Sequence, residues 1–135
     1  MQYRQMPKSG KEVSALGLGC MRLPMKGKNV DEEKAIELIR YAVDAGITYL
    51  DTAWPYHNGK SEEILGKALK YGYRERVTIA TKLPQWQVRN RADMEMYLNA
   101  QLKKLQTDVI DYYLVHSISG ASVWDGLLKR ALLIS

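Results

Sequence analysis

The stretch DEEKAIELIRYAVDAGITYLDTAWPY, residues 31–56, decides how this chain folds. It opens on Asp31, Glu32 and Glu33, and negative charge is favoured at the N-terminal end of a helix. Ile36, Ile39 and Val43 recur at helical spacing, with Ala35, Leu38 and Ala42 beside them. Gly46 stands where helices commonly end in a left-handed residue. A helix from about Asp31 to Ala45 is therefore expected, followed by a strand over Ile47–Leu50 with Asp51 at its tip.

The same alternation extends in both directions. Upstream, residues 3–16 read as a hairpin turning at Ser9-Gly10, and Leu16-Gly17-Leu18-Gly19-Cys20-Met21 reads as a short strand. Downstream, Ser61 is the expected N-cap of a second helix whose buried face is Ile64, Leu65, Ala68 and Leu69. Val77–Thr81 is the expected third strand. Asn90 caps a third helix through Leu105, with Met94, Leu98, Leu102 and Leu105 facing inward. Val109–Val115 is the fourth strand, and a last helix runs from about Ser122 to the end. Strands alternating with helices of this length imply an α/β fold with a parallel sheet and crossover helices. We expect one domain over residues 1–135: a hairpin over about 3–16, then four parallel βα units over about 16–135, paired in chain order.

Composition narrows the class. The chain has 135 residues, 46% of them apolar and 26% charged, as in a soluble globular domain. No apolar run suggests a membrane span, and the N-terminal residues carry no apolar core of a signal peptide. The basic residues behind the net charge of +5 are scattered, so no nucleic-acid partner is expected; attraction of an anionic dinucleotide is a weaker alternative. Cys20 is the only cysteine, which excludes an internal disulfide and suits a reduced, cytoplasmic protein. The two histidines lie in different units, so no metal site is expected.

Asp51, Lys82 and His116 each stand at or just past the C-terminal end of a strand-like run, and Tyr56 lies on the loop after Asp51. A βα-barrel places its catalytic residues there. Each residue also has a plainer reading. Asp51 suits a turn cap, Tyr56 suits loop packing, and a lone His116 suits a satisfied core position. Together they suit proton transfer. A phenol is a poor acid at neutral pH. A neighbouring ammonium favours its ionised form, so Tyr56 beside Lys82 makes a usable proton donor. Asp51 would hold Lys82 charged, and a neutral His116 imidazole would bind a carbonyl oxygen. Trp54 and Trp86 either wall an apolar substrate pocket with His116 or cover the strand ends. His57 reads as a turn residue beside Asn58-Gly59. The run Gly17-Leu18-Gly19-Cys20-Met21-Arg22 lacks the third glycine of a dinucleotide fingerprint, and Cys20 lacks an obvious base to make it a nucleophile.

The segments 16–24, 50–56 with 59–63, 80–82 and 111–116 resemble, in register, the aldo-keto reductases. The resemblance implies a (β/α)8 TIM barrel, NADPH as hydride donor, and reduction of a small aldehyde or ketone. It implies that Tyr56 is the acid, that Lys82 and Asp51 tune it, and that His116 orients substrate. It maps the nicotinamide side of the cofactor onto Gly19, Cys20, Met21, Arg22 and Asp51. The opening through Pro24 is most similar to a microbial subgroup whose full chains carry a C-terminal iron–sulfur segment, but one cysteine cannot hold such a cluster. Family barrels have eight βα units and four are visible here. The half without a counterpart carries most of the pyrophosphate and adenosine contacts. The resemblance fades after Ser119, as a truncated or frame-shifted reading frame or a partial gene would make it. The expectation is thus an N-terminal half-barrel of oxidoreductase type. The alternatives are a non-catalytic relative and a fragment inactive alone. Open sheet edges would favour self-association.

Overall fold

In the computed structural model, which describes residues 1–132, Tyr3–Gln5 (β1) and Glu12–Ser14 (β2) pair antiparallel. The turn between them closes with the Met6 N–H on the Lys11 carbonyl at 2.9 Å. Reciprocal bonds from Ser14 N–H to Thr48 Oγ1 (2.8 Å) and from Thr48 N–H to Ser14 Oγ (2.9 Å) dock this hairpin on the main sheet. Leu18–Gly19 (β3) follows. A second hairpin comes next, Met25–Lys26 (β4) against Asn29–Val30 (β5), which the sequence reading missed. Its signal is Gly27, with a φ of 62° between two strands of only two residues.

The helix expected over 31–45 is α1, Glu32–Asp44. Asp31 caps it by accepting the Lys34 N–H at 3.3 Å. Ala35, Ile39, Ala42 and Val43 are buried, whereas Leu38 is exposed. The remaining elements are β6 (Tyr49–Asp51), α2 (Lys60–Ala68), β7 (Thr78–Leu83), α3 (Arg91–Leu105), β8 (Tyr112–Val115) and α4 (Ala121–Leu127). Leu128–Leu132 continues α4 as one wider, π-type turn. The final residues of the helix expected to reach the chain end lie outside the described residues.

Three expectations need correction. Ser61 is not an N-cap: Gly59 occupies that position at a φ of 84°, and the Ser61 side chain is fully buried. The fourth strand begins at Tyr112, three residues later than expected, because Asp111 is held in a side-chain cluster. The inward face of α3 is partly polar. Gln101 and Asp93 are buried with Leu105, while Met94, Leu98 and Leu102 are half-buried.

The sheet order is β3-β6-β7-β8, all parallel, with each crossover helix on one face. This is the N-terminal part of a (β/α)8 barrel. Leu50, Ile79, Thr81 and Leu83 point to the helices, where Leu50 and Ile79 are buried with Ile39, Leu65 and Leu105, and Leu83 with Val88, Leu127 and Ala131. Each fully buried Leu or Ile contributes about 1.5–3 kcal/mol relative to an exposed one. α2 and α3 cross closely at Gly66, where a Cβ would stand 2.7 Å from the Lys104 carbonyl oxygen, so Gly66 has to lack one.

Candidate active site

Strand register puts the expected polar residues on one face. Asp51 pairs with Ala80, and Ala80 with Tyr112. Paired residues in a parallel sheet share a face, and so do residues two apart in a strand. Asp51, Lys82, Leu114 and His116 therefore all project away from the helices, at the C-terminal end of the sheet.

Lys82 Nζ donates to Asp51 Oδ1 at 2.6 Å and to the Thr52 carbonyl at 2.7 Å. The ammonium has three protons, so one stays uncommitted. The Lys82 side chain is 13% exposed, and a cation that deeply buried needs such partners. Tyr56 lies on a 3-10 turn, Tyr56–Gly59, between β6 and α2. Its ring covers the ammonium, with the centroid 4.8 Å from Nζ. No hydrogen bond joins the Tyr56 hydroxyl to Lys82; the contact is through the ring face. The His116 ring meets Tyr56 edge-on at 5.8 Å between centroids, and Trp86 stands 5.2 Å from it on the other side. Burial, then the Lys82 charge, lowers the His116 imidazole below its usual value, against a smaller pull from Asp51. Both effects favour the neutral imidazole. Its Nδ1 is buried without a hydrogen-bond partner.

The Aldo/keto reductase family profile matches residues 15–129. The chain belongs to that family. It is 44% identical over 126 residues to aldo-keto reductase YhdN of Bacillus subtilis, covering 86% of this chain and 38% of YhdN. Its fold superposes on the holo form of aldo-keto reductase AKR11C1 from Bacillus halodurans with a TM-score of 0.74. That alignment has 33% identity and covers 96% of this chain and 47% of the other. An aldo-keto reductase of Klebsiella pneumoniae in complex with NADPH gives a TM-score of 0.71 and 27% identity over 91% of this chain and 45% of its own. The chain thus spans less than half the length of each of these relatives.

Within this family framework, the loop after β3 divides. Gly19 has open space where a Cβ would stand, and Met21 and Arg22 are exposed. Cys20 is the exception to the expected cofactor contacts. Its side chain is fully buried in the core, and burial, reinforced by Asp51, pushes the thiol up to about 12. Its backbone still serves the site, since the Cys20 N–H donates to the Asp51 carbonyl at 2.7 Å. The two tryptophans also divide. Trp86 is half exposed beside His116. Trp54 packs edge-on against Tyr97 at 5.0 Å, under the Lys104 ammonium at 3.8 Å, so its ring is engaged with α3. His57 Nε2 accepts the Leu23 N–H at 3.1 Å, which ties the Tyr56 turn to the loop after β3.

Sequence reasoning missed the polar groups behind the strands. Ser61, Glu62, Thr81 and Gln101 are fully buried and bonded to one another or to strand ends. The available signal was Glu62, a carboxylate three residues before Leu65 and seven before Leu69, on the inward face of the helix. Among the described residues no group of three or more His, Cys, Asp or Glu is arranged to hold a metal ion, and no helix is long and apolar enough to cross a membrane.

Proposed function

We propose that this chain supplies the catalytic half of an NADPH-dependent aldo-keto reductase, reducing an aldehyde or ketone with Tyr56 as the proton donor. The observation that carries this reading is the Lys82–Asp51 pair with the Tyr56 ring over its ammonium and the His116 ring against that ring. Asp51 holds the Lys82 side chain in place. The ammonium would stabilise negative charge as it develops on the phenol oxygen during proton transfer. A neutral imidazole at His116 donates one N–H to the substrate carbonyl oxygen and orients it for that proton. Trp86 and His116 form an apolar wall for the substrate, while Trp54 acts from behind through α3.

The residues present fit the nicotinamide end of NADPH. Gly19 leaves room for close approach, and Met21, Arg22 and Asp51 border it. When bound, NADPH supplies the hydride. The Klebsiella relative's NADPH supports this choice of cofactor. Since the chain covers 38% of YhdN, we assign turnover to a barrel completed by the βα units such relatives carry in addition. A cytoplasmic site of action goes with the reading, as the single thiol is unpaired.

The test is a chimera in which this chain replaces the matched segment of YhdN, assayed for NADPH consumption with a panel of aldehydes and ketones. Turnover is expected. A chimera that binds NADPH but reduces none of the carbonyls YhdN reduces would overturn the reading. The open sheet supports a narrower reading of the chain alone. β8 pairs only with β7, and Leu114 and Val109 are 40% and 56% exposed. Alone, the chain is expected to self-associate and to hold NADPH weakly. Light scattering and an NADPH fluorescence titration measure both; a stable monomer with micromolar affinity would exclude it.

A further inference from the structure

Behind the ion pair, on the helix side of the sheet, two adjacent hydrogen-bond sets, one from Ser61 and one from Glu62, tie α2 to the ends of β3 and β6 and to β7 and β8. Ser61 Oγ donates to the Cys20 carbonyl at 2.8 Å, so the 2.8 Å contact between Ser61 and Thr52 has Thr52 Oγ1 as donor. Thr52 is the residue whose carbonyl accepts from Lys82 Nζ. One residue on, Glu62 Oε1 accepts from Thr81 Oγ1 and from Gln101 Nε2, both at 2.6 Å. Gln101 Nε2 also reaches the Lys82 carbonyl at 3.1 Å, and Gln101 Oε1 accepts from the Tyr113 hydroxyl of β8 at 2.7 Å. Burial, and then the Glu62 charge, raises the Tyr113 phenol, so it keeps a proton to donate to this oxygen. The Lys82 carbonyl can only accept, which fixes the Gln101 amide with Nε2 towards it and Glu62 and with Oε1 towards Tyr113.

The other oxygen of Glu62 has no hydrogen-bond partner, and Lys104 Nζ lies 3.7 Å from it. Lys104 in turn donates to the Gly59 carbonyl at 3.1 Å and covers the Trp54 ring, on either side of Tyr56. One buried carboxylate thus touches both the Lys82 strand and the brackets of the Tyr56 loop. Apolar side chains would fill this volume without the cost of desolvating a charge, so packing alone does not account for it.

We infer that Glu62 and Gln101, which do not touch the ion pair, are positioning residues that set where the Lys82 ammonium stands relative to Tyr56 and His116. The importance of this for catalysis rests on the reductase reading; the positioning itself does not.

The test reads position, not turnover. The chain has two histidines, so the ring proton of His116 can be followed by NMR through a pH titration. The charged groups acting on it are Lys82 and Asp51. Lys82→Met, which removes the ammonium, is expected to raise the His116 midpoint and gives the reference shift. Glu62→Ala and Gln101→Leu are each expected to move it the same way by about half a pH unit, as the ammonium withdraws. Glu62→Gln keeps the accepting oxygen and is expected to stay close to the parent. Leu65→Ala, which opens the neighbouring core, is expected to lower Tm and leave the midpoint unchanged. Should Glu62→Ala not fold, Gln101→Leu decides the matter. Variants that lose Tm while His116 titrates as in the parent would make the network merely structural and overturn the inference. Chimera turnover is a separate measurement, so failure of the reductase reading and failure of the positioning inference give different results.

Discussion

Asp111 and Asp51 stand at opposite ends of the same sheet, and each is paired with a cation. Asp111, just before β8, is 4% exposed and accepts from Lys11, from Arg74 Nη2 at 2.9 Å and from the Ile79 N–H at 2.9 Å. Burial raises its carboxyl, but Lys11, the Ile79 N–H and Arg74 outweigh that and hold it below the ordinary value. Asp51, at the end of β6, is 30% exposed with Lys82 as its cation. At the lower end Asp111 accepts on both oxygens from three donors, and the result ties hairpin, loop and strand together. At the upper end Lys82 keeps a proton uncommitted and His116 Nδ1 has no partner. The same chemical pair fastens the fold where both carboxylate oxygens are bonded, and at Asp51, where only Oδ1 is, it leaves room for a ligand.

The sharpest test of that contrast is turnover. In the chimera, Tyr56→Phe is expected to lower kcat by about 10²-fold or more with NADPH affinity little changed. Asp111→Asn should leave kcat within about threefold at a temperature where the barrel is folded. Near-normal turnover of Tyr56→Phe would mean that another group is the acid. Stability should show the reverse order. Asp111→Ala strands Arg74 and the Ile79 N–H, and is expected to cost about 2–4 kcal/mol in urea denaturation. Asp51→Asn, more exposed and still able to accept from Lys82, should cost about 1 kcal/mol. Equal costs would erase the distinction.

Acidity separates the two ends by pH window. Asp111 is depressed in the folded chain, so its stabilisation is complete above the unfolded carboxyl value of about 3.9 and is lost as pH falls through the folded value. His116 is also depressed, but it is a base. Below about pH 6.5 the unfolded chain takes up the proton first, so stability falls as pH drops from there towards the folded midpoint. Urea midpoints at pH 7 and pH 5.5 are expected to show this smaller step, and His116→Gln is expected to remove it. A midpoint insensitive to pH across that range would show that Lys82 and burial do not act on His116 as described.

Much of the architecture was legible because its determinants are local. Asn90 caps the helix expected of it, Asp31, read as a first-turn residue, caps the first helix, Gly46 ends that helix, and sequential βα units pair in order. The grouping of Asp51, Lys82 and His116 on one face also follows from alternation along strands, once strand ends are aligned. Ser61, Cys20, Gln101 and Trp54 were not legible. A serine before an apolar stripe looks like a cap whether its hydroxyl bonds its own helix or, as here, the Cys20 carbonyl across the core. Gln101 looks like a surface residue on a helix with Leu98, Leu102 and Leu105. It is buried because the α2–α3 crossing at Gly66 brings Glu62 opposite it.

Sequence alone determined the elements, their order and which residues reach the C-terminal ends of the strands. Those outcomes depend on periodicity, caps and chain direction, which act over a few residues. Tertiary structure decided which polar side chains are buried and what each one bonds. That choice depends on partners from 9 to 41 residues away, such as Thr52 for Ser61 and Cys20 for the same hydroxyl. A buried polar group is tolerated only when distant elements bring its partner within bonding distance, and no local pattern encodes that.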